Sequence, residues 1–198
     1  MTTVTAQTPL PTQVNGSKSV GWWGLICLIL NEIVLFASLI ASYLYTRVNS
    51  PAWPPAGVEK PELVLPAIMT VVLLSSSVFM QMAERGIKRG DQARLRMGLL
   101  IALALAVVFL AMQAYEYSHP DALPTDNAYG SLFFAITGIH GIHVLIAVLM
   151  NIYLQVRARL GHFSERRFSG VENVTLYWHF VDVVWLLIVM VVYVSPHF

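Results

Sequence analysis

Five side chains able to do acid–base or ligand chemistry stand inside otherwise apolar stretches: Glu32, His140, His143, His179 and Asp182. His179 and Asp182 lie three residues apart in the run 176–185, Leu-Tyr-Trp-His-Phe-Val-Asp-Val-Val-Trp, and the apolar character continues to Val194. An ionisable group at bilayer depth costs roughly 2.5–3.5 kcal/mol on insertion scales, so each needs a partner that offsets the cost. The i,i+3 spacing puts His179 and Asp182 on one helix face, where they either pack against a neighbouring helix or form a ligand or proton-handling site. His140 and His143 share that spacing, and with Glu32 they offer nitrogen and oxygen donors to a metal. A His-x-x-His supplies only two ligands, and haem would need axial ligands that face each other at one depth. A hydrogen-bonded cluster between helices is the competing structural reading.

The elements that position these groups follow from composition. Of 198 residues, 57% are hydrophobic and 12% charged, against roughly 25% charged in soluble domains. The chain therefore reads as an all-α polytopic membrane protein. A formal charge of +1 selects neither an acidic nor a basic partner, and no basic patch with interleaved aromatics points to nucleic acid. The single cysteine, Cys27, excludes an intrachain disulfide and a Cys-x-x-Cys-His haem attachment.

Residues 1–20, with Pro9, Pro11 and Gly16, read as a mobile polar tail without the basic start and short apolar core of a cleavable signal. Residues 21–198 then form one domain, a bundle of five transmembrane helices over about 21–45, 63–83, 97–117, 131–154 and 174–194, each able to cross a core of about 30 Å. Ten of the twelve Lys and Arg residues fall in the tail and in the connections after the second and fourth spans. That bias predicts a cytoplasmic N-terminus and a C-terminus on the outer side. Glu32, His140 and His143 then share a level about 14 to 18 Å deep, whereas His179 and Asp182 lie about 8 to 12 Å from the cytoplasmic boundary.

Small residues four apart, namely Ala37 with Ala41, Ser38 with Ser42, and Ala102 with Ala106, predict close helix contacts. Ser75, Ser76 and Ser77 add hydroxyls to the second span. Trp53, in a proline-rich loop, is expected at the outer interface, and Glu116 at the outer end of the third span. At the cytoplasmic end Arg157, Arg159 and His162 follow the fourth span and Glu172 precedes the fifth. Arginine there can grip a phosphate with a forked pair of hydrogen bonds, or simply satisfy positive-inside topology.

The run YWHFVDVVW at 177–185 resembles the signature of subunit 3 of the haem–copper respiratory oxidases. So do AITGIHGIHV at 135–144, QAYEY at 113–117, the buried Asn31-Glu32 and the loop Trp53-Pro54-Pro55. These matches come in order across the chain from Trp22 to Tyr193. The resemblance implies the short, five-helix form of a core subunit without a redox centre of its own. The longer form has seven helices, and without its first pair one wall of that family's lipid cleft would be absent. Haem and copper would belong to partner subunits 1 and 2, in an assembly that reduces oxygen with electrons from cytochrome c or quinol and translocates protons.

By position the resemblance places Arg157, His143 and His162 near lipid head groups and Glu32 beside a phospholipid cleft. His140, Glu172, His179 and Asp182 are expected to form a structural intramembrane polar cluster. The implied role is to stabilise the catalytic subunit, hold phospholipid and support oxygen access or proton uptake, in a bacterial plasma membrane and beside other respiratory-complex subunits. Two other readings stay open: a subunit of a quinol oxidase or of a nitric-oxide-reductase-associated assembly, and an independent proton or ion transporter using Glu32, His140 and His143.

Overall fold

The computed structural model describes residues 19–120 and 123–198, so the expected polar tail lies almost wholly outside the described residues. Five helices follow in order: α1 Val20–Val48, α2 Val64–Ile87, α3 Gln92–Ser118, α4 Ala128–Arg159 and α5 Ser169–Ile188. A π-helical segment Val189–Val194 and a short 3-10 turn extend α5 to the C-terminus. The chain is an integral membrane protein with five helices long and apolar enough to cross a bilayer.

The helices begin and end where local chemistry allows it. Ser19, Asp91 and Asn127 each accept a backbone N–H from the first turn of the helix that follows, at 3.2, 2.9 and 2.8 Å. Such side chains satisfy donors that the helix itself leaves open. The turn between α2 and α3 needs only a few residues because Gly90 adopts a φ of 73°, a conformation costly to other residues.

The short turn brings α2 and α3 into close contact. A Cβ on Gly98 would lie 2.6 Å from the Phe79 carbonyl oxygen and 2.8 Å from the Ala83 Cβ. Ala102 and Ala106 continue that strip and are fully buried. The other small-residue pairs behave differently. Ala37, Ala41, Ser38 and Ser42 are exposed on α1, and the two serines donate to the carbonyls of Val34 and Ser38 in their own helix. The expected close packing therefore holds in α3 and fails within this chain for α1.

Both ends of the bundle are tied. At the end carrying the α2–α3 and α4–α5 connections, Gln92 donates to the Phe163 carbonyl at 2.9 Å and Arg96 to that of Ala158 at 3.2 Å. At the opposite end Arg47 donates to the Ser195 carbonyl at 2.8 Å. There the Trp53 indole donates to the Tyr43 hydroxyl at 2.9 Å, and its ring meets Tyr43 and Tyr129 edge-on.

Burial is uneven. Helices α2 to α5 enclose a core that includes Trp178, Trp185, Phe109, Met69 and Ile136. Of the 29 residues of α1, only Phe36 and Tyr43 are buried. Gly98→Ala is expected to cost about 1–3 kcal/mol by forcing α2 and α3 apart. Gly24→Ala, with nothing within 4 Å of the added carbon, should leave the thermal midpoint of the purified protein unchanged; equal midpoints for both variants would contradict the packing account.

Candidate functional site

Polar residues of the fifth helix meet hydroxyls of the second. The Trp178 indole donates to Ser76 Oγ at 2.9 Å, and the Trp185 indole to Thr70 Oγ1 at 2.9 Å. Between them Ser77 donates to Asp182 Oδ2, while His179 Nδ1 lies 2.9 Å from Ser77 Oγ. The one hydroxyl proton of Ser77 goes to the carboxylate, so His179 donates through Nδ1 and the order is His179, Ser77, Asp182. Positions 178, 182 and 185 recur at i, i+4 and i+7, the period of one helix face. Ser76 and Thr70 suit the opposing face because a hydroxyl can donate back to its own helix and still offer a lone pair to an indole. Ser76 donates to Leu73 O and Thr70 to Pro66 O.

A second site joins α1 to α4. His143 Nε2 is 3.0 Å from Glu32 Oε2, and His143 Nδ1 is 2.7 Å from the Ile139 carbonyl. A carbonyl can only accept, so Nδ1 carries a hydrogen. The contact at Nε2 then needs one further proton, held by either the carboxyl or the imidazole. In both arrangements the pair is neutral as a unit, which is what an apolar surrounding favours. Phe36 closes one side of the pair, its ring 5.1 Å from that of His143.

The histidines of the His-x-x-His motif are parted. His140 turns away from α1 into the α3–α5 core, where Nε2 donates to the Val181 carbonyl at 3.2 Å and the ring lies 5.1 Å from Trp185. The trio His140, His143 and Glu32 therefore does not converge on one point. Among the described residues no three His, Cys, Asp or Glu side chains form a metal-holding group.

The residues expected to share one polar cluster are distributed over three places. His179 and Asp182 adjoin Ser77, His140 lies in the core, and Glu172 stands in the first turn of α5 with its Oε1 4.0 Å from Lys88 Nζ. The proposed lipid ligands also divide. Arg157 sits in the last turn of α4, its Nη1 donating to Tyr153 Oη at 2.7 Å and its guanidinium over the rings of Tyr153 and Phe163. His162 is exposed beyond the helix end. His143 precedes Arg157 by fourteen residues, about 21 Å along the helix.

In the sequence the serines of α2 are legible as packing hydroxyls but not as partners of the indoles. Their alignment with α5 depends on helix pairing, which no local spacing specifies. A bridge from α3 to α4 is equally silent in the sequence: Gln113 donates to the Thr137 carbonyl at 2.7 Å and to Tyr117 Oη at 3.2 Å. Glu116 accepts from the Tyr193 hydroxyl at 3.0 Å and so ties α3 to the C-terminal π segment.

Apolar helices whose polar side chains are engaged chiefly with one another define a polytopic membrane protein organised by interhelical hydrogen bonds. The family model described as cytochrome c oxidase subunit III matches residues 13–196. Cytochrome c oxidase subunit 3 of Synechocystis sp. is 38% identical over 180 residues, covering 90% of this chain and 77% of that protein. The subunit 3 of Thermostichus vulcanus is 35% identical over 176 residues, 88% and 87% of the two chains. That of Drosophila melanogaster is 35% identical over 178 residues, 86% and 68%. The chain belongs to the cytochrome c oxidase subunit III family.

Removing the hydroxyl of Ser77 leaves Asp182 Oδ2 without its donor, while Oδ1 already has no hydrogen-bond partner among the described residues. Ser77→Ala is expected to destabilise the protein by about 1–2 kcal/mol. A double-mutant cycle with Asp182→Leu should return a coupling of about 1 kcal/mol; additive losses in midpoint would show that the two groups do not interact.

Proposed function

We propose that this chain is a core subunit of a proton-translocating cytochrome c oxidase, seated beside the subunits that carry haem and copper and supplying no redox centre itself. Cytochrome c is the electron donor suggested by the relatives' names. The chain's role is to stabilise the catalytic subunit and to hold phospholipid against it, and it supports oxygen access or proton uptake there. Subunits 1 and 2 are its immediate partners. The proposed location is a bacterial plasma membrane, with the N-terminus cytoplasmic, since the arginine-rich connections gather at the end where α2–α3 and α4–α5 turn. Residues 21–198 act as one domain.

The observation that carries the reading is α1. Twenty-nine residues long, it buries only Phe36 and Tyr43 against the rest of the chain. It meets the bundle through an intramembrane carboxyl–imidazole pair. A helix so placed gains its packing from lipid and from a neighbouring subunit. Arg157 supports the lipid part. Its guanidinium lies over the rings of Tyr153 and Phe163 in the last turn of α4, where a cation at the membrane boundary can meet a phosphate. An acyl chain starting there would run about 21 Å along α4 to reach the level of Glu32 and His143. His143, expected with Arg157 and His162 at the head group, lies too far along α4 for that, so Arg157 and His162 are proposed for the head-group end and Glu32 with His143 for the tail.

Arg157→Ala in the assembled oxidase should release one phospholipid per complex and shorten the active lifetime during turnover, with the initial haem spectrum unchanged. Unaltered lipid content by mass spectrometry together with an unaltered lifetime would reject the assignment.

Glu32→Gln is expected to assemble normally, because an amide N–H can donate to His143 Nε2 without any charge. Glu32→Ala removes both volume and partner and should weaken assembly by about 1–3 kcal/mol. Oxygen consumption and proton ejection measured together separate the roles. A Gln variant that assembles and pumps normally supports a structural pair, and one that assembles without pumping assigns Glu32 to proton transfer.

A further inference from the structure

We propose that a cavity at the end of the bundle opposite the arginine-rich connections binds an organic ammonium group. The cavity has a volume of about 340 Å³ and lies between the segment leading into α2, the end of α3 and the start of α4. Its lining includes the aromatic residues Tyr115, Tyr129, Phe133 and Phe134 and the acidic residues Glu62 and Glu116, with no lysine or arginine among the described lining residues. The Tyr193 hydroxyl, 3.0 Å from Glu116 Oε2, fixes one carboxyl group in position. Tyr129 and Phe133 lie at 30° to each other with centroids 6.3 Å apart, so two neighbouring rings present similarly inclined faces. His119, at the rim, is engaged through Nδ1 with Ser118 and the Tyr115 carbonyl.

The lining discriminates among ligands. An anion would meet two acidic residues and, among the described lining residues, no lysine or arginine. A bare divalent metal needs about six oxygen ligands, and the lining is mainly aromatic and apolar. A neutral hydrocarbon would strip water from the carboxyl groups without replacing it. An alkylated ammonium fits both features, because its carbon shell covers apolar surface while its spread charge faces the negative sides of aromatic rings. The volume falls at the small end of the range for small-molecule sites, roughly 300–1,000 Å³, and suits a single head group. That group can come from the choline or ethanolamine of a lipid or from a soluble amine, and both place the same chemistry in the cavity.

Equilibrium dialysis of labelled tetraethylammonium against the purified complex in a maltoside detergent tests the site. The expected result is saturable binding of one equivalent per chain, weakened about tenfold in Glu116→Gln and in Glu62→Gln. The neutral isostere 3,3-dimethylbutanol should compete at least about tenfold less well than choline. Dodecylphosphocholine displacing the label far more effectively than choline identifies the lipid source, and equal displacement identifies a soluble amine. Absence of saturable binding, competition by the neutral isostere equal to that of choline, or wild-type affinity in Glu62→Gln overturns the proposal. Glu62 is exposed, so its variant decides the matter even where Glu116→Gln disturbs the contact with Tyr193.

Discussion

A polar group withdrawn into hydrocarbon has no water to fall back on, and the pairing of α5 with α2 answers that constraint. Two indoles, a carboxylate and an imidazole on one face of α5 find three hydroxyls on α2. Individually such bonds contribute little, on the order of 0.6 kcal/mol and at most about 1.7. Their effect lies in direction. Trp178 pairs with Ser76 and Trp185 with Thr70, so sliding α5 by one turn would break both bonds and part Asp182 from Ser77. Register is therefore fixed where nonspecific apolar packing in lipid cannot fix it. With that register set, Trp185 takes its place against Phe109, at 4.8 Å and nearly perpendicular, and His140 reaches the Val181 carbonyl.

The first helix follows a different principle. Its serines turn their hydroxyls back to their own carbonyls, which satisfies them without any neighbour. Its tie to the bundle at mid-membrane is the Glu32–His143 pair, with Phe36 beside it; nearer one end Tyr43 adds contacts to Trp53 and to the Val192 carbonyl. The chain thus divides into a body, α2 to α5, whose helices bury one another, and a helix that leaves most of its apolar surface exposed. The proposed contact with lipid and a larger partner rests on that exposed surface of α1.

The existence of five spans was legible because long apolar runs have one solution in a bilayer. Their ends were not. The apolar run of the fourth span stops near Leu154, yet α4 continues to Arg159, since a helix persists past the membrane boundary where charges are solvated. Likewise α3 starts at Gln92 because Asp91 caps it. His179 and Asp182 could be placed on one face from their spacing, and Glu32 with His143 from their shared depth. Spacing could not show that His140, only three residues from His143, faces another helix pair, because that depends on how α4 sits between its neighbours. The small residues of α1 misled for the same reason: a close-packing motif carries no information about whether its partner belongs to the same chain.

Distances between spin labels test the division into body and appended helix most directly. Cys27, exposed on α1, can be paired with a label at Ile152, exposed on α4. A second pair at Val78 and Val183, exposed on α2 and α5, reports the body in a Cys27→Ser background. On releasing the chain from its complex into detergent, the α1–α4 distribution should broaden severalfold while the α2–α5 distribution keeps its width. A narrow α1–α4 distribution in the released chain, or loss of the narrow α2–α5 distance, would contradict the account.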